Sequence, residues 1–208
     1  MNNINSNLLE NKSFQNYFVD CFFNKYIQSF EFLKSEYVSF IQVIFDISYP
    51  LSRIFEYKYE HIQIFNYNFQ KFLTLRSNLG GAVANKNVIW LRSVDENNMI
   101  YFQYIVLIDA NFFKNWHEII DIVQQHWSLT LGTDGSDLIS TCNNRDSLKK
   151  LKNGLVFYKK TSEFEQARQE RLMLQQVISL AEFLDHEKQQ KDGWMISSTR
   201  RGELKKII

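Results

Sequence analysis

The chain has 208 residues, 45% of them hydrophobic, which is enough for one domain with an appendage or for two small domains, each with a real core. Its 24 basic and 23 acidic side chains leave a formal charge of +1, which excludes a globally basic nucleic-acid protein and requires any phosphate-binding surface to be local. The two cysteines, Cys21 and Cys142, make neither a disulfide framework nor a metal-ligand spacing, and no leader or apolar run of about 18 residues is evident, so a cytoplasmic protein without a membrane span is expected.

From Ser13 to Tyr37 the spacing of Phe14, Phe18, Cys21, Phe22 and Tyr26 predicts an amphipathic helix behind a capping-type serine. The run YVSFIQVIFDISYP then switches to β-branched and aromatic residues and stops at Pro50, the only proline, so it predicts the first strand, with Asp46 as an unusual charge inside it. Helical spacing returns through Ile54, Tyr57, His61, Ile64, Phe65, Phe69 and Phe72 and ends at Gly80 and Gly81. Two apolar strands around Asp95, Glu96, Asn97 and Asn98 form the clearest hairpin. In its second strand Tyr101, Gln103, Ile105 and Leu107 share one face and Phe102, Tyr104, Val106 and Ile108 the other. An amide among such neighbours has to be hydrogen-bonded or to line a groove.

A further helix closes near Gly132, followed by a polar loop containing Asp134 and Asp137 and a short apolar piece at Leu138 and Ile139. Leu155 to Tyr158 predicts a strand flanked by lysines. A long helix follows, with apolar positions Phe164, Ala167, Leu172, Ile178, Leu180, Phe183 and Leu184 and a polar exception at Gln175. The order of elements predicts an α+β fold: a small antiparallel sheet with helices packed on one face, divided into an N-terminal helical extension over 1–36 and an α+β domain over 37–208 with a basic tail.

Metal and phosphate motifs are weak. His117, Glu118 and His126 lack the i, i+4 spacing of a zinc helix, the Asp134 loop lacks a calcium ligand series, and Gly80-Gly81 lack the residues of a phosphate loop. The stronger signal is basic: Lys149, Lys150, Lys152, Lys159, Lys160, Arg200, Arg201, Lys205 and Lys206 gather in the C-terminal third. Glu163, Glu165 and Glu170 offset part of that charge, and a merely solvated face is the competing reading.

The run VIWLRSVDENNMIYFQYIVLIDANFF, with SFIQVIFDISYP before it and SLAEFL and GWMISSTRR after it, resembles the inovirus Gp2-like, YagK/YfjJ C-terminal family, phage and prophage relatives of HUH-type replication initiators. The resemblance runs from about Tyr37 to Arg201. It implies an initiator-like fold, DNA as partner in single-stranded or hairpin form, and phage or host replication proteins nearby. In such initiators a histidine pair on one strand holds a divalent cation and a helix tyrosine attacks the scissile phosphate. At the matching positions this chain has Tyr101 and Gln103 for the histidines, Ser93 for the preceding acid and Phe183 for the tyrosine. A phenol and an amide are poor ligands beside imidazole, and phenylalanine has no oxygen to attack with, so the resemblance implies a DNA-binding or regulatory protein with an inactivated nicking site and no cofactor. Two alternatives stand beside it. One is an active divalent-dependent nickase using Asp46, Asp95 or Glu96 with Tyr104 or Tyr158; the other is a protein-interaction module without nucleic acid.

Overall fold

The computed structural model describes residues 17–50, 58–78, 86–94, 100–113, 115–141, 153–186 and 196–198. In chain order the elements are α1 (Tyr17–Glu36), β1 (Ser39–Ser48), α2 (Tyr59–Asn78), β2 (Lys86–Val94), β3 (Ile100–Asp109), α3 (His117–Leu131), β4 (Ile139–Thr141), β5 (Leu155–Tyr158), α4 (Glu163–His186) and β6 (Ile196–Ser198). A single turn of 3-10 helix at Ser136–Leu138 leads into β4.

The two longest apolar strands pair with each other. β1 and β3 run antiparallel from Phe40 opposite Asp109 to Ser48 opposite Tyr101, and β2 lies on the far side of β3. The sheet order is β4-β1-β3-β2-β6, with β5 also on β1, and every strand pairing among the described residues is antiparallel. From β1 to β4 the chain is a β-α-β-β-α-β unit, in which the helices α2 and α3 return the chain between strands. Around this unit α1 is added in front, and β5, α4 and β6 behind.

Side-chain parity divides the core into two layers. Ile41, Val43, Phe45, Ile47, Val88, Trp90, Phe102, Tyr104, Val106 and Ile108 meet Ile62, Phe65, Phe69 and Leu73 of α2 and Ile119, Val123 and Trp127 of α3. On the opposite face Phe40, Ile44, Ile89, Leu91, Ile105 and Leu107 meet Phe22, Tyr26, Phe30 and Leu33 of α1 and Met173, Leu174, Val177 and Leu180 of α4.

The α+β class is as the order of elements predicts, but the helices cover both faces of the sheet rather than one. The reason is in β3 itself: both of its faces are apolar, and a strand of that kind needs cover on both sides. For the same reason the N-terminal helix is no appendage, since Phe22, Tyr26, Phe30 and Leu33 are part of the second layer. Among the described residues no helix is long and apolar enough to cross a membrane.

On α4 the buried stripe is Met173, Leu174, Gln176, Val177 and Leu180, whereas the expected Phe164 and Leu172 lie outside, Phe164 at 81% exposure. Ile64 of α2 is likewise exposed, and Ile62 takes the inward position. Gly132 ends α3 in the left-handed region, its N–H donating to the Ser128 carbonyl. The Asp95–Asn98 turn and the Gly80-Gly81 stop fall outside the described residues.

Candidate functional site

The α1/α4 face of the sheet is not uniformly apolar. Register brings its polar residues into rows, because side chains on neighbouring strands stand opposite one another about 5 Å apart and same-face residues follow every 7 Å or so along a strand. One row is Ser140 on β4, Asp46 on β1 and Gln103 on β3; the next is Ser48 on β1, Tyr101 on β3 and position 93 on β2. A separate row at the other end of the face holds Gln42 and Asn87 on either side of Leu107.

These rows differ in how their polar atoms are satisfied. Gln42 is fully engaged: the Tyr26 hydroxyl donates to its Oε1 at 2.7 Å, and its Nε2 donates to Gln176 Oε1 at 3.0 Å. That network ties α1, β1 and α4 together. Burial holds the Tyr26 hydroxyl well above the usual phenol range, with the Glu170 carboxylate adding to it, so Tyr26 stays a donor. Gln103 is the opposite case. It is 0% exposed, and among the described residues neither its Oε1 nor its Nε2 has a hydrogen-bond partner, although the carboxylate-bearing Asp46 stands directly opposite. The amide is thus neither a satisfied core residue nor an exposed edge residue.

Leaving a buried polar group without a partner costs about 1–3 kcal/mol. Gln103→Met keeps the volume and removes the amide, so it is expected to raise the unfolding free energy by about 1–3 kcal/mol in a urea titration. A lower stability in that variant would mean that the amide is bonded in solution.

The helix above this face comes from α4. Its start is fixed at the Ser39 end of β1, where Gln169 Oε1 accepts the Tyr158 N–H at 2.9 Å and Tyr158 is opposite Ser39. Gln176 lies over Gln42. From there α4 continues to His186 and so carries position 183. The side chains of Ser93 and Phe183 fall outside the described residues.

Positions 93, 101 and 103 thus share one face of the sheet, with Tyr101 and Gln103 on its central strand, and α4, the helix that carries position 183, packs on the same face through Met173, Leu174, Val177 and Leu180. Sequence reading singled out Asp46 but missed its pairing with Gln103 and missed Ser48, Ser140 and Gln42. Shared strand parity was the available signal for Gln42 and Asp46.

Among the described residues of the alternative nicking mechanism, Asp46, Tyr104 and Tyr158 are not gathered. Tyr104 points into the α2/α3 layer, where its hydroxyl donates to Asn66 Oδ1 at 2.8 Å. Burial keeps that hydroxyl protonated, well above the ordinary phenol range, and the Asn66 bond offsets this only in part. Tyr158 is half exposed, opposite Ser39, roughly 23 Å along β1 from Asp46. Asp95 and Glu96 lie outside the described residues.

Of the basic residues, Lys159 and Lys160 are exposed at the end of β5, and Lys159 Nζ donates to the Ser35 carbonyl at 3.1 Å. Glu170 is engaged by Lys34 at 2.7 Å and Glu165 by Arg168 at 3.2 Å, so two of the three acids thought to offset the lysines are already paired elsewhere. Lys149, Lys150, Lys152, Arg200 and Arg201 fall outside the described residues, as do Lys205, Lys206 and Cys142.

His117 lies against the Trp116 ring, and His126 meets Phe72 edge-on with burial lowering its pKa. Asp134 accepts the Ser136 N–H at 2.9 Å, a turn contact that holds its carboxyl below the usual range. Among the described residues no three His, Cys, Asp or Glu side chains group so as to hold a metal ion. No family model, no curated protein and no solved structure matches the chain.

Proposed function

We propose that this chain is a cytoplasmic DNA-binding regulatory protein of phage or prophage type, with a replication-initiator-like fold from which the nicking chemistry has been lost. One observation carries the reading. Positions 93, 101 and 103, which the family resemblance assigns to a nicking centre, share the sheet face on which α4, the helix carrying position 183, is packed, and this supports the reading. The residues found there are unfit for the reaction: Tyr101 and Gln103 are weak ligands, and Phe183 offers no nucleophile. What remains for DNA is charge, supplied by Lys149, Lys150, Lys152, Lys159, Lys160, Arg200 and Arg201. Single-stranded or hairpin DNA is the proposed partner, with phage or host replication proteins as further ones.

The test is a titration with labelled single-stranded hairpin and duplex DNA at two salt concentrations. Binding that weakens with salt is expected, and Lys159→Ala with Lys160→Ala should lessen the logarithmic salt slope on single strands by about 1.4, because each lost phosphate contact removes about 0.7. An unchanged slope would reassign these lysines to ordinary solvation. With Mg²⁺ or Mn²⁺ present neither cleavage nor a covalent adduct is expected, since Tyr101 and Gln103 are weak ligands for the cation that would offset the developing phosphorane charge and Phe183 has no hydroxyl to attack the phosphorus. A tyrosine adduct mapped by mass spectrometry would instead establish the nickase. Absence of all binding would move the function to protein partners.

A further inference from the structure

β4 and β5 lie along the same edge of β1, and they leave a gap between them. β4 pairs with β1 from Phe45 to Ile47, and β5 pairs from Ser39 to Gln42. In the gap stands Asn153, whose side chain takes the place of a strand backbone: its Oδ1 accepts the Ile44 N–H at 2.8 Å, and its Nδ2 donates to the Ile44 carbonyl at 2.8 Å. Only a carboxamide supplies both a donor and an acceptor at one planar end. The next residue, Gly154, donates its N–H to the Gln42 carbonyl at 3.1 Å and carries a φ of +74°. A Cβ there would come within 2.2 Å of Trp116 Cδ1. The fold thus demands an amide at 153 and glycine at 154, and this is the only Asn-Gly step in the sequence.

That pair carries a chemical liability. Glycine leaves its backbone nitrogen unshielded by any Cβ, so the Gly154 nitrogen can attack the Asn153 side-chain carbonyl carbon. The new N–C bond closes a succinimide as the amide nitrogen leaves as ammonia, and water then opens the ring to aspartate or isoaspartate. No oxidant or cofactor is needed. In the folded chain both reacting groups are occupied: the leaving nitrogen is held by Ile44, and the attacking nitrogen by Gln42.

We infer that Asn153 is a deamidation-sensitive latch on the outer edge of β1, shielded while its two bonds to Ile44 hold and unable to reclose once converted. Aspartate at 153 sets an oxygen against the Ile44 carbonyl where a donor stood. Isoaspartate adds a methylene to the main chain and shifts the side chain off register.

The experiment incubates the full chain at mildly alkaline pH, folded and in denaturant, and follows conversion at each asparagine by peptide mass spectrometry. In denaturant Asn153 is expected to convert first. In the folded chain it should convert at least about a hundredfold more slowly, because the reactive geometry is confined to the opened fraction of molecules. Hydrogen exchange of the isoaspartate product, isolated after partial reaction, should show loss of protection at the Ile44 amide. Equal rates with and without denaturant, or unchanged Ile44 protection after conversion, would overturn the inference. Asn153→Asp, made directly, sets an oxygen against the Ile44 carbonyl and should lower the urea midpoint without any chemical ageing, and an unchanged midpoint would count against the latch.

Discussion

Gly154→Ala is expected to lower the unfolding free energy by about 2–5 kcal/mol, the sum of a left-handed backbone penalty of about 1–2 and an overpacking penalty of about 1–3. The chain contains its own control. Gly132 has nearly the same backbone conformation, φ +68°, but nothing within 4 Å of the added carbon, so Gly132→Ala isolates the backbone part. At Gly154 the Trp116 ring cannot simply withdraw, since it lies 3.7 Å from the His117 ring and against the α2/α3 core. Combining Gly154→Ala with Trp116→Ala should therefore recover the steric component and leave the backbone one. Urea midpoints at constant m-value measure all four proteins. Equal losses at Gly132 and Gly154 would show that the indole yields and that the close approach has no energetic weight.

Trp127→Ala is expected to cost about 3–5 kcal/mol, the range for emptying a large aromatic site in a core. The indole is 0% exposed, meets Tyr49 and Phe65 edge-on at 5.2 and 5.7 Å, and donates its Nε1–H to the Ser48 carbonyl at 3.1 Å. Trp127→Phe separates the two contributions. It retains most of the packing but leaves the Ser48 carbonyl without that donor, a loss of about 1–3 kcal/mol. Ser48 is also the last residue of β1 and stands opposite Tyr101, so faster amide exchange at the Tyr101 end of β3 should accompany the change. A cost below about 1 kcal/mol for Trp127→Ala would contradict the dense packing on which it rests.

Sequence alone carried the local pattern well and the non-local one poorly. Alternation from Tyr101 to Ile108 assigned those eight residues of β3 to their correct faces, because a strand's period of two is a property of the backbone. Of the apolar positions expected on α4, Leu180 is buried but Phe164, Ala167 and Leu172 are not. That helix carries two apolar stripes, one through Phe164 and Leu172 and one through Met173, Val177 and Leu180, and the buried one contains Gln176. A polar residue counts against burial until its partner is known, and Gln42 lies far away in sequence. The Asp46–Gln103 row was hidden for the same reason: each residue was visible, but their adjacency is a matter of β1–β3 register. Asn153 acts as a backbone substitute, a role with no sequence pattern at all.

The position of β1 has a consequence during synthesis. Its sequence, SFIQVIFDIS, carries a single charge and is rich in β-branched and aromatic residues, the composition that stacks with copies of itself when an edge is open. One edge is covered once β3 has been made, but the other waits for β4 and β5, which end at Tyr158. At ordinary ribosomal speeds that delay is on the order of ten seconds. Over that interval a nascent chain holds out an unguarded sticky strand, and a message truncated before codon 155 makes a product that never acquires β5, so chains cut short there should accumulate as aggregates or as chaperone clients while the full chain stays free of both.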